Sequence, residues 1–173
     1  MIQLSTGSGA VNPVCFINAY VDAKMTLDEL LDKIKTGEDS STQFKVNLNN
    51  IDSLAAELVA FSNAKGGTIF VGVDDNGQAI GINKSEVGRL NKMISNACSQ
   101  HVKSPITVHT DNVSLDIGAI VIAIGVSTGI DKPYFDKNGI IWLKNGADKR
   151  RINSRRTTTF VSRNRYCPCG WSA

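Results

Sequence analysis

The sequence predicts an α+β fold in which a mixed β-sheet packs with about three helices, and three observations predict it. Apolar residues recur at helical spacing in three stretches, near 27–34, 54–64 and 85–101. Gly118 to Val126 is almost wholly apolar over a strand's length, the signature of a central strand. Between them, Ala60 to Ile82 (AFSNAKGGTIFVGVDDNGQAIGI) leaves a helical pattern at Gly66-Gly67, runs as a strand from Thr68 to Val73, and turns through Asp74-Asp75-Asn76-Gly77 into a second strand. Helix, strand, helix, then a run of strands interrupted by one helix is the element order of an α+β sandwich.

The elements follow in order. Residues 1–25 show no clear period and read as an irregular arm. Thr26 is an N-cap, and Glu29 three residues on completes a capping box. Leu27, Leu30, Leu31 and Ile34 then form one apolar stripe before Gly37 closes the helix. Toward Val46 the chain alternates, with Phe44 and Val46 on one strand face and Gln43 and Lys45 on the other. Asp52 or Ser53 caps a helix from Leu54 to Ala64, whose alanines permit close packing on a sheet. After the hairpin 68–82, Ser85 opens a helix to about His101 with Val87, Leu90, Met93, Ile94 and Ala97 inward, and Pro105 prevents its continuation. Ile106–Thr110 and Gly118–Val126 read as strands. Pro133–Phe135 and Ile140–Lys144 read as a hairpin about Asp136-Lys137-Asn138-Gly139, whose Asn-Gly favours a tight turn. The organisation expected is an arm, 1–25, one domain, 26–152, and a basic tail, 153–173.

At 173 residues, 42% of them apolar, the chain buries one ordinary core. No apolar run reaches the roughly 18–20 residues of a bilayer span, and no early Lys or Arg precedes an apolar segment, so a cytoplasmic location without membrane association is expected. Cys15, Cys98, Cys167 and Cys169 are too few and too unevenly spaced for a disulfide framework. Cys98 reads as a small core residue, and the Cys-Pro-Cys at 167–169 lacks the spacer and the second pair of a zinc site.

Charge is unevenly divided. Residues 1–148 hold 12 Lys/Arg against 16 Asp/Glu, a net −4, while residues 149–173 hold 7 Lys/Arg and no acid. Clustered cations suit a polyanion, because binding releases its condensed counterions. The run KNGADKRR, 144–151, follows a strand with a glycine turn and three consecutive basic side chains able to grip phosphates. Trp142 alternates with these charges and reads as core. Glu38, Gln43, Lys45 and Asp75 form a second constellation: two carboxylates near a lysine could hold a divalent ion beside a phosphodiester, although Asp-Asp-Asn-Gly equally suits an ordinary turn. No nucleotide-binding glycine fingerprint occurs, and His101 and His109 have no nucleophile partner that would make a triad.

Taken in order, Glu38-x4-Gln43-Phe44-Lys45, AFSNAKGG at 60–67, GVDDNG at 72–77, Gly81-Ile82, Lys132-Pro133 and LKNGA at 143–147 resemble the Alba-like DNA-binding domain family found in Schlafen proteins and in many bacterial and archaeal regulators and ATPase-like proteins. The resemblance runs from about Thr36 to Ile152. It implies a nucleic-acid-binding module, DNA ahead of RNA, of the kind found in transcriptional regulators, with no cofactor. Lys45, Lys65, Lys144, Lys149, Arg150 and Arg151 are then expected to contact phosphates. The Schlafen relatives imply a second reading, an endoribonuclease using Mg or Mn, whose three acids correspond to Glu38, Gln43 and Asp75, with Glu38 and Asp75 on the metal. Gln43 departs from the acidic pattern, and a neutral amide binds a hard cation far less well than a carboxylate. A third reading is an interaction module, such as a homodimer joined along an open sheet edge.

Overall fold

The computed structural model describes residues 24–152, so the arm up to residue 23, Cys15, the tail 153–173 and its Cys-Pro-Cys lie outside the described residues. The fold is α+β, with three helices, a four-stranded mixed sheet and a two-stranded one. Helix α1, Leu27–Lys35, begins on the expected capping box, the Thr26 hydroxyl accepting from Glu29 N while Glu29 accepts from Thr26 N. Strand β1, Thr42–Lys45, leads through an asparagine-rich turn into α2, Ile51–Asn63, and then into β2, Gly67–Val71. After α3, Lys84–Gln100, come β3, Val108–Ser114, β4, Ile120–Val126, and the hairpin of β5, Trp142–Asn145, with β6, Asp148–Arg151.

The large sheet runs β1-β2-β4-β3, with β1 and β2 parallel and the other pairs antiparallel. The apolar β4 lies inside the sheet, as its composition requires. Alternation divides the core into two layers. Ile69, Val71, Ile122, Ile124 and Val126 face α2 and α3, while Phe44, Phe70, Val121 and Ala123 face α1. A third cluster, Ala55, Val59, Val102 and Tyr134 with half-buried Trp142, fastens the hairpin to α2.

Four sequence expectations need correction. Helix α2 is capped by Asn50, whose carbonyl oxygen accepts from Asp52 N and Ser53 N, so Asp52 and Ser53 sit inside its first turn. The 68–82 hairpin shrinks to one bridge, Val73 with Ala79, because β2 spends its ladder on β1 and β4. The edge strand begins at Val108 and runs to Ser114, later than the expected 106–110. The hairpin turn expected at 136–139 is instead a loop knot: the buried Asp136 carboxylate accepts from Asn138 N, Ile140 N and the Trp142 indole N–H. The true hairpin turns at Gly146-Ala147, where Lys144 pairs with Lys149.

Gly66 has φ 78°, and a Cβ there would lie 2.6 Å from the Val126 carbonyl, so this exit from α2 admits only glycine. Just before it, buried Asn63 ties in the 129–142 loop. Its amide donates to Tyr134 O and Trp142 O, both at 3.0 Å, and its oxygen accepts from Tyr134 N at 2.8 Å. Asn63→Ala strands three backbone groups and is expected to cost about 2 kcal/mol, read as a lower thermal midpoint with the secondary structure retained.

Candidate functional site

Gln43, Lys45, Lys144 and Lys149, among the side chains singled out by the sequence, gather where α2, β1 and the β5–β6 hairpin meet, and one residue it did not single out is at their centre. Every residue of α2 from Leu54 to Asn63 is buried, including Glu57. A carboxylate so placed must find cations. Lys149 Nζ donates to Glu57 Oε1 at 2.8 Å and touches Ser53 Oγ at 3.3 Å, and Lys144 Nζ stands 4.0 Å from Glu57 Oε2. Cross-strand pairing explains the convergence, since Lys144 and Lys149 are opposite one another and share the face turned to α2. A lone acid within the otherwise apolar run Leu54–Phe61 was the signal in the sequence that marks Glu57.

Lys144 differs from its expected role. Its side chain is 1% exposed and lies 4.7 Å over the Phe61 ring. The ammonium also donates to Gln43 Oε1 at 2.8 Å and to Ala147 O at 2.5 Å. Burial pushes it below the usual lysine range against the pull of Glu57 and Glu38. It is therefore an internal strut rather than a phosphate contact. Lys149 is partly exposed at 22% and shared with Glu57.

Gln43 and Lys45 do lie on one strand face, in register with Ile69 and Val71 on the α2 side, and Phe44 on the other side packs at a tilt against Phe70, 6.3 Å between ring centroids. Val46, expected beside Phe44, is half exposed beyond the end of β1. Lys45, Arg150 and Arg151 form no salt bridge among the described residues, and both arginines are exposed. Strand alternation separates the two: Arg151, like Lys149, points to the α2 side, and Arg150 to the outer face with Leu143. Lys65 follows the opposite end of α2, some 20 Å of helix from Asn50, and does not join them.

A divalent ion does not fit the acid set that the resemblance implied. Gln43 gives its oxygen to the Lys144 ammonium, so a cation already occupies that ligand position, and Glu38 Oε1 is bound to Phe44 N at 2.5 Å. Asp75 is exposed at the turn that Asp74 organises by accepting from Asn76 N and Gln78 N. No group of three or more His, Cys, Asp or Glu placed to hold a metal occurs among the described residues. His101 Nδ1 is hydrogen-bonded to Asp52 Oδ1 at 2.6 Å, and Asp52 also pairs with Lys137 at 2.6 Å, at the start of α2.

Beside Lys45 a cleft of about 180 Å³ opens between the Asn47–Asn50 turn and α2, lined also by Ser53, Glu57, Leu54 and Ile69. Arg89 of α3 braces the turn through Leu48 O and Asn47 Oδ1 at 3.5 and 3.4 Å.

The sequence matches the family described as Schlafen, AlbA_2 over residues 38–153. The crystal structure of the DIP2311 protein from Corynebacterium diphtheriae superposes with a TM-score of 0.50 at 20% identity, over 73% of this chain and 27% of that one. At that identity the likeness concerns the fold alone, and the chain spans only about a quarter of that protein's length. The N-terminal domain of a RecG-related protein from Nitrosomonas europaea, solved by NMR, gives a TM-score of 0.47 at 23% identity over 73% and 88% of the two chains. No curated protein matches the chain. No helix among the described residues is long and apolar enough to cross a membrane.

Proposed function

The chain belongs to the Schlafen AlbA_2 family, and from that premise we propose that it is a nucleic-acid-binding module of regulatory type, DNA ahead of RNA, holding phosphates on the cationic rim formed by the end of β1 and the β5–β6 hairpin. The observation that carries this reading is the hairpin's anchorage. Trp142 and Lys144 fix the hairpin to α2, so Lys149, bonded to the cleft residues Ser53 and Glu57, is held beside the Lys45 cleft, with Arg151 two residues on along the same strand face and Arg150 on the opposite one. A hairpin already fixed to α2 loses little backbone entropy when its cations meet a phosphate backbone. They position a strand without reading its sequence.

Binding is favoured over metal-dependent cleavage because Gln43 and Lys144 satisfy each other. The test is a titration of fluorescent oligonucleotides across salt concentrations. If Lys45, Lys149, Arg150 and Arg151 each neutralise one phosphate, the slope of log K against log salt is about −3.6 on duplex and about −2.8 on single strands. A flat salt response would remove the proposal. Hydrolysis of labelled RNA dependent on Mg or Mn, abolished by Asp75→Ala, would replace it with the nuclease reading.

A further inference from the structure

We propose that the cleft beside Lys45 receives one unpaired base, so that the protein holds single strands in preference to duplex; this rests on the nucleic-acid reading above and specifies its ligand. The cleft's size sets the first limit. About 180 Å³ falls below the roughly 300–1,000 Å³ of sites that enclose drug-sized ligands, which leaves room for a single ring system. A base inside a duplex is stacked on both faces and paired along its edge, and cannot enter.

The lining sets the second limit. Leu48, Leu54 and Ile69 are buried apolar side chains that border the cleft and suit the face of a ring. Around them the polar atoms are of both kinds. Asn47 spends its carbonyl oxygen on Leu48 N and Arg89, and Asn50 spends its own on the first turn of α2. Their amide N–H groups make no hydrogen bond among the described residues, and exposed Asn49 makes none with either end of its amide. On the acceptor side, Glu57 borders the cleft and is 3% exposed, and its Oε2, 4.0 Å from the Lys144 ammonium, makes no hydrogen bond among the described residues. An unpartnered buried carboxylate oxygen is costly until a donor reaches it.

This mixture decides between occupants. A bare phosphate needs donors only and finds no use for the acceptor that Glu57 sets beneath the cleft, and an apolar ligand would strand the amides. The edge of a nucleobase carries both N–H donors and C=O or ring-nitrogen acceptors, and its face is apolar. Lys45 on one wall and Lys149 above Ser53 then stand where the phosphates flanking an inserted base would lie. The base enters, and the cations hold the backbone on either side.

The experiment compares a 12-nucleotide DNA strand, the RNA strand of the same sequence, and the DNA strand annealed to its complement, by fluorescence anisotropy at one salt concentration. One enclosed and hydrogen-bonded base is expected to make at least one of the single strands about tenfold tighter than duplex. The DNA and RNA arms show which sugar accompanies the base. Asn49→Ala, at an exposed position with no part in the fold, is expected to weaken that single strand about three- to tenfold and to leave duplex binding unchanged. Equal affinity for single strand and duplex overturns the inference while the nucleic-acid reading stands. A single-strand preference that Asn49→Ala leaves intact also overturns it, since the base would then be held elsewhere. Failure of all three probes to bind removes the nucleic-acid reading itself.

Discussion

Glu57→Gln is expected to destabilise the protein by about 3–5 kcal/mol, the cost of leaving buried cations without their anion. Two ammoniums converge on this carboxylate, Lys149 at 2.8 Å and Lys144 at 4.0 Å, and the Lys144 side chain is 1% exposed. Lys149 retains partial access to water and turns outward when Glu57 is neutral. Lys144 has no such exit, being enclosed by Phe61, Gln43 and the Ala147 carbonyl. The reverse change is milder. Lys144→Met leaves Glu57 with Lys149 and unpairs only Gln43 Oε1 and Ala147 O, so about 1–3 kcal/mol is expected. The double variant Glu57→Leu/Lys144→Met recovers most of the loss, because an apolar pair of similar volume needs no counter-charge. Urea melts that shift the midpoint at constant slope measure all three. A Glu57→Gln variant within about 1 kcal/mol of the parent, or one more stable than Lys144→Met, would mean that the carboxylate does not organise the hairpin.

The same strut carries a pH signature. Burial holds the folded-state value of Lys144 below the ordinary 10.5, so between the two values the unfolded chain binds more protons than the folded one. Stability therefore climbs as pH rises through that window toward 10.5. Lys144→Met removes this share of the climb, which urea melts at stepped alkaline pH would show as a flatter profile.

What the sequence revealed and what it hid follow from the range of the forces involved. The capping box of α1, the end of α2 ahead of Gly66-Gly67 and the interior position of β4 are local or compositional, and were legible because each residue carries its own reason. Asn50 was passed over because Asn49-Asn50-Ile51-Asp52-Ser53 offers several cap-forming side chains, and only backbone geometry selects among them. The Asp136-Lys137-Asn138-Gly139 turn misled for a related reason: its composition is that of a hairpin, but the Asp136 carboxylate is spent on the turn itself and on Trp142. At the site, Gln43 and Lys45 were read correctly onto one face, since alternation along a strand needs no knowledge of the fold. The burial of Lys144 was not readable in that way, because its partners Gln43 and Glu57 lie 101 and 87 residues away and only the docking of the hairpin on α2 brings them together.

Arg150→Glu/Arg151→Glu is expected to weaken nucleic-acid binding on the order of 50–100-fold at about 0.1 M salt, since each lost phosphate contact forfeits nearly tenfold there. Neither arginine has an acidic partner among the described residues and both are exposed, so their charge is available without breaking an internal bond, unlike that of Lys149. The fold is expected to survive, because β5 stays fastened through Trp142 and Lys144. The salt slope should fall by about 2 in magnitude on duplex. Single reversals then locate the strand. The side chains of β6 alternate, so a backbone lying on the α2 side, beside Lys45 and Lys149, depends on Arg151, whereas one lying across the outer face depends on Arg150. The cleft is on the α2 side, so Arg151→Glu should carry the greater loss, about tenfold or more alone. A double reversal that leaves both affinity and salt slope unchanged would show that the hairpin is not the phosphate-binding rim, whatever else the domain holds.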